Sequence, residues 1–221
     1  MNEFISEYGS LLVQGTLDTL AMTIASTLFA YVLGIPLGVL VYITKDEGLT
    51  PSKAVYRVLS WIINIVRSIP FIILLVALIP VTRLLVGTSL GVAGAVVPLV
   101  VGSAPFVARM VEQSLEEVDK GLIEAASSFG ASTTQIIFRV LLKESLPSLI
   151  KGVSIVFITL FGYSAIAGTI GAGGLGDIAI RYGYQRYQDM VMVAAVVICI
   201  VLVEIAQTLG DSLARRIDKR N

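Results

Sequence analysis

Three features of this sequence bear on chemistry. The first is Gly171-Ala172-Gly173-Gly174-Leu175-Gly176, whose spacing fits the G-x-G-x-x-G fingerprint that cradles a dinucleotide pyrophosphate. That chemistry needs a preceding strand, a following helix in a βαβ unit, and an acid about 20 residues on for the ribose. Here a long apolar run precedes the glycines and no suitable acid follows, so the segment reads instead as a flexible connection. The second is a pair of charges, Arg67 and Glu204, each inside an apolar run. A charge in such a run snorkels, pairs or serves a pathway. At 1.5 Å per residue the two would lie roughly 13 and 8 Å from the ends of their helices on the same side of the membrane, so an ion pair between them is open. The third is a set of absences. There is no histidine, which removes His-based triads, most zinc sites and the usual proton shuttle. The single cysteine, Cys199, cannot form an intrachain disulfide and suits packing as a small hydrophobe. No G-x-x-x-x-G-K-[ST] run is present to bind a nucleotide. Apart from Arg67 and Glu204, the apolar runs hold neither paired carboxylates nor a nucleophile beside a base, which argues against an enzyme.

The elements that must position these residues are membrane helices. The chain is 56% hydrophobic and only 14% charged, against about 25% charged in soluble domains. The lipid bilayer is therefore a partner, and a net charge of zero implies no nucleic acid. The first charges, Glu3, Glu7 and Asp18, are acidic, unlike the positive start of a signal peptide. Five segments reach the ~20 apolar residues that a crossing helix needs: 17–43, 58–82, 88–110, 152–170 and 190–209. An odd number puts the termini on opposite sides. One side, holding 44–57, 109–151 and 211–221, carries 12 Lys and Arg, and the other carries only Arg83, Arg181 and Arg186. The positive-inside rule predicts that the C-terminus, its basic tail at 211–221 and the loop at 111–151 are cytoplasmic, with the N-terminus outside.

Small residues mark close packing. Gly34-Ile-Pro-Leu-Gly38 has small-xxx-small spacing, and Gly87, Gly91 and Gly94 put small residues on neighbouring faces. Tyr182, Tyr184 and Tyr187 suit an interfacial aromatic belt. The 111–151 loop is itself patterned. Leu122, Ala125, Ala126 and Phe129 recur at helical spacing, Gly130 interrupts, and Ser132-Thr-Thr-Gln135 fits a capping box opening a second helix. Such a helical hairpin rests partly on the ends of the spans and leaves a face for a partner protein.

Glu124-Ala125-Ala126, three residues, then Gly130 resembles the opening of the EAA loop of binding-protein-dependent ABC-importer permeases. That pattern continues with Ile-x-Leu-Pro, whereas this chain has Val140, Leu142 and then Lys143 in place of the proline. The second loop helix is accordingly expected to run on toward Pro147. Further blocks are similar to methionine-uptake permeases: Arg67-Ser-Ile-Pro70-Phe-Ile-Ile-Leu-Leu, Gly102-Ser-Ala-Pro105-Phe-Val-Ala-Arg109-Met-Val-Glu112, Gly162-Tyr-Ser-Ala165, and Gly171 to Gly176 followed by Ile180-Arg-Tyr-Gly-Tyr-Gln185. The resemblance implies an all-α integral membrane chain with five transmembrane helices and the type I ABC importer permease fold, over 12–208. It implies a permease subunit rather than an enzyme, moving methionine across the bacterial cytoplasmic membrane by alternating access. Another amino acid or a quaternary amine is the alternative solute. The partners implied are a second copy of the chain, two cytoplasmic ABC ATPase subunits that hold ATP and Mg, and an extracytoplasmic methionine-binding lipoprotein. Glu124, Ala125, Ala126 and Gly130 would dock the ATPase. Ser68, Tyr163 and Ser164, in the matched blocks, are the pathway candidates. The glycine-rich segment would sit near the pathway exit or the binding protein.

Overall fold

The computed structural model describes residues 2–217, with side chains from Phe4 onward. All of its regular structure is helical. The helices are α1 (Asn2–Thr44), α2 (Lys53–Ser68), α3 (Phe71–Ala77), α4 (Ile79–Val86), α5 (Gly91–Glu116), α6 (Lys120–Ser128), α7 (Thr133–Ile136), α8 (Leu142–Glu144), α9 (Leu146–Ala167), α10 (Gly174–Ile178) and α11 (Asp189–Ile217). Wider π-helical turns bridge α7 to α8, α9 toward α10, and the end of α10 at Ile137–Leu141, Gly168–Ala172 and Ala179–Tyr184. Four helical stretches, Phe4–Thr44, Gly91–Glu116, Leu146–Ala172 and Asp189–Ile217, are long and apolar enough to cross a membrane, and there are five if the bent pair α2 and α3 counts as one span. The first and last helices run well beyond the apolar cores expected at 17–43 and 190–209, because helix propensity does not stop where apolarity does. Of the basic tail, Lys219 and Arg220 lie outside the described residues.

The expected span at 58–82 is corrected. It falls on three helices: α2 and α3, bent by 100° across the break at Ile69-Pro70, and the start of α4. Proline has no N–H to give and pushes its predecessor out of the α region. Ile69 duly sits at φ −82°, ψ 123° and ends α2. α4 then turns at Gly87, whose φ is +81°.

Packing centres on α5, which buries residues along most of its length against α1. Lipid supplies no hydrophobic drive between helices, so close van der Waals approach must do so. Gly34 and Gly38 make that approach. A Cβ on Gly34 would come within 2.5 Å of Val107, and one on Gly38 within 2.5 Å of the Ala108 carbonyl oxygen. Gly87 and Gly91 differ from the packing role expected of them: nothing lies within 4 Å of a Cβ at either, and both have positive φ in the turn between α4 and α5. At the other flank α9 and α11 cross where Gly210 faces Ser154, a contact with no room for a methyl group.

The glycine-rich segment is also corrected. No strand precedes it among the described residues, and it is a packed hairpin rather than a flexible connection. Gly168, Ala172, Gly174 and Leu175 are buried. The Leu175 N–H donates to Thr19 Oγ1 at 2.8 Å. A Cβ on Gly176 would stand 2.4 Å from the Ala165 backbone. The glycines permit close approach to α1 and α9, and Gly171, Gly173 and Gly174 supply the positive φ the reversal needs.

Candidate functional site

Two places on this scaffold can do work. The first is a cavity of about 210 Å³ at the break between α2 and α3, closed by α5 and α9. The break lays the end of α2 across the bundle and tips α3 inward, burying Phe71, Leu74 and Leu75. Phe71 stacks on Tyr163 of α9 with ring centroids 4.3 Å apart and an interplanar angle of 3°. Gly102 of α5 leaves room for this: a Cβ there would sit 3.1 Å from Leu74 Cδ2. Arg67 lines the same space from the last turn of α2. Ser103 and Thr159 line it with hydroxyls that donate to their own helices, to the Leu99 carbonyl at 2.6 Å and the Ile155 carbonyl at 2.8 Å.

Of the three pathway residues expected from sequence, Tyr163 lines the cavity. Ser68 is outside the lining, exposed, and donates to the Asn64 carbonyl at 2.8 Å. Ser164 is 1% exposed and donates to the Phe161 carbonyl at 2.7 Å, outside the lining. Arg67 and Glu204 do not pair within the chain. Arg67 belongs to the cavity, while Glu204 stands exposed on α11 beside Ile205, Thr208 and Leu209. Sequence reasoning missed Phe71, Thr159 and Ser103 as lining residues. The signal was Pro70, which breaks the span and turns Phe71 inward.

Below the cavity α2 is held to α5 by one polar link. Arg109 donates to Asn64 Oδ1 at 3.2 Å and pairs with Glu112 at 2.6 Å.

The second place is the hairpin of α6 and α7. Asp119 caps α6 by accepting from the Gly121 N–H at 2.6 Å. The capping box expected at Ser132 and Gln135 is formed in both directions. Gly130 turns the chain with φ +79°. Ile123, Ala126, Ile136 and Val140 pack on the bundle core. Glu124, Ala125 and Gly130 are exposed, and Phe129 is 93% exposed beside them. In place of a proline at Lys143, the helical path continues through α8 and bends only at Ser145, before Pro147 opens α9. Lys120 ties the start of α6 to Glu47, after α1, at 2.8 Å. That hydrogen bond and the charge behind it hold the Glu47 carboxyl below the usual carboxylate range and raise the Lys120 ammonium.

A chain with a polar-edged cavity at a broken membrane helix and an apolar-tipped helical hairpin outside has known counterparts. A probable D-methionine transport system permease protein of Vibrio cholerae is 51% identical over 210 residues, spanning 95% of this chain and 93% of its own. The methionine import system permease protein of Bacillus subtilis is 50% identical over 181 residues, 82% of each chain. A solved structure of the MetNI methionine ABC transporter in inward-facing conformations superposes with a TM-score of 0.95 at 49% identity, covering 96% of this chain and 99% of that one. Residues 12–221 match the family described as the binding-protein-dependent transport system inner membrane component. With its type I ABC importer permease fold, the chain belongs to that family of membrane-spanning transporter subunits.

Proposed function

We propose that this chain forms the methionine pathway of an ATP-driven importer and works by alternating access. The observation that carries the reading is the near-complete coverage at about half identity by relatives described as methionine permeases. The charge bias, 12 Lys and Arg against three, supports a cytoplasmic C-terminus and α6–α7 hairpin. In this reading Glu124, Ala125, Ala126 and Gly130 form the surface that docks a cytoplasmic ATPase, with Phe129 as its apolar tip. ATP and Mg are held by that partner, since this chain has no phosphate-cradling loop. A second copy completes the pathway, because five helices seldom enclose a solute path alone and cyclic pairing is the commonest assembly. A binding lipoprotein delivers methionine on the outer side, and the solute passes the cavity at the α2–α3 break.

Uptake in proteoliposomes tests this. Methionine should accumulate only when the ATPase subunit, ATP and the binding protein are all present. Unlabelled methionine should compete better than other amino acids or quaternary amines. If the purified chain alone moves methionine down an ion gradient, the reading is wrong.

A further inference from the structure

Resting on that reading, we infer that the cavity at the α2–α3 break is a binding site for a zwitterionic amino acid, with Arg67 reading the carboxylate and the Phe71–Tyr163 stack receiving an apolar side chain. Three observations converge on this class of ligand.

Arg67 is the one charged residue in the lining, and it has no ion-pair partner among the described residues. A guanidinium is a planar fork that matches a carboxylate with two parallel hydrogen bonds. Its place in the last turn of α2 puts it at the mouth, where a solute's carboxylate arrives still partly hydrated. Two of the three hydroxyls in the lining, those of Ser103 and Thr159, have the opposite polarity; the third is that of Tyr163. Ser103 and Thr159 have already given their protons to the Leu99 and Ile155 carbonyls, so toward the cavity they offer only lone pairs. Lone pairs without protons suit an ammonium. The cavity therefore has a donor fork at its rim and acceptors on its walls, an arrangement that fits a zwitterion.

The remaining walls are apolar. Leu74, Phe106 and Leu160 flank the stacked rings of Phe71 and Tyr163. A thioether gains from contact with an aromatic ring beyond simple burial. A volume of about 210 Å³ is smaller than the ~300–1,000 Å³ of pockets for drug-sized ligands, and so suits a single amino acid rather than a peptide.

The test is uptake by proteoliposomes containing the chain, its ATPase and saturating substrate-loaded binding protein. Arg67→Ala should lower methionine uptake by about tenfold or more, and Arg67→Lys, which keeps the charge but not the fork, should fall between the two. ATP hydrolysis stimulated by the loaded binding protein should stay within about twofold in both, because neither change touches the docking hairpin. Arg67→Ala uptake within about threefold of wild type overturns the inference. So does a parallel fall of uptake and stimulated hydrolysis in both variants, which would make Arg67 a structural residue. If Arg67→Ala does not insert, Thr159→Val decides: a loss of about threefold or more supports the site and an unchanged rate overturns it. Failure of the methionine reading shows separately, in the wild-type arm. If wild type carries a different amino acid and Arg67→Ala abolishes that uptake, the site stands and the methionine assignment falls.

Discussion

Gly130 occupies a turn whose geometry and whose surroundings make separate demands. Its φ of +79° favours glycine, but a Cβ there meets nothing within 4 Å. Gly130→Ala should therefore cost only the backbone term, about 1–2 kcal/mol, and leave uptake within about twofold. Gly130→Trp puts a large ring on the exposed surface beside Glu124 and Ala125. It should insert and fold, yet lose uptake and co-purification with the ATPase; full uptake in this variant would remove the hairpin from the docking surface. The charged residues show how far single positions are legible. That Arg67 and Glu204 are exceptional is plain from the apolar runs around them. Which is near what is a lateral question, and one-dimensional depth cannot answer it. The hydroxyls of Ser68 and Ser164 also donate to their own helices, and neither residue is among those that line the cavity.

At the scale of elements, local signals are legible in the sequence and long-range ones are not. The capping box at Ser132 and Gln135 needs only four residues, and it forms as the spacing requires. The run of helix past Lys143 follows from the absence of a local proline. The 100° break between α2 and α3 carried its own signal in Ile69-Pro70, but apolarity continued through it and masked the turn. The glycine hairpin was harder still, because glycine serves both freedom and close approach, and only the facing surfaces of α1 and α9 decide between them. The tether of α6 to the α1–α2 connection gives a pH prediction. A carboxyl held below its ordinary value stabilises above an unfolded pKa of about 4.3 and loses that contribution as pH falls through the lowered one; a raised lysine does so below about 10.4 and loses it as pH rises further. The Glu47–Lys120 bond is thus complete between about pH 5 and about pH 10. Hydrogen exchange in α6 should be faster in Glu47→Gln than in wild type at about pH 6, and the difference should shrink as the pH falls through the lowered Glu47 value. A difference that persists at the acid end would show that the side chain acts by shape and not by charge.

At the scale of the whole molecule, the five-crossing plan was visible in composition and length, and the family in a few short blocks. What ties the first crossing to the last hairpin was not, since it is close packing at Gly15 and Gly174 together with one hydrogen bond between residues 156 apart. Thr19 donates to the Gly15 carbonyl and accepts from the Leu175 N–H, both at 2.8 Å. Thr19→Val keeps the shape and removes the acceptor, leaving a buried N–H at a cost of about 1–3 kcal/mol. At about 2–4 °C per kcal/mol for a chain of this size, thermal unfolding in detergent should show the loss, and Thr19→Ser should restore it. An unchanged midpoint in Thr19→Val would mean water replaces the hydroxyl. The same contact sets an order of events during synthesis. The socket of Gly15, Thr19 and Met22 on the first helix is made early, and the segment that fills it is among the last parts of the chain to emerge. Until then the first helix carries that socket unfilled, and the last hairpin completes a surface that the first helix began.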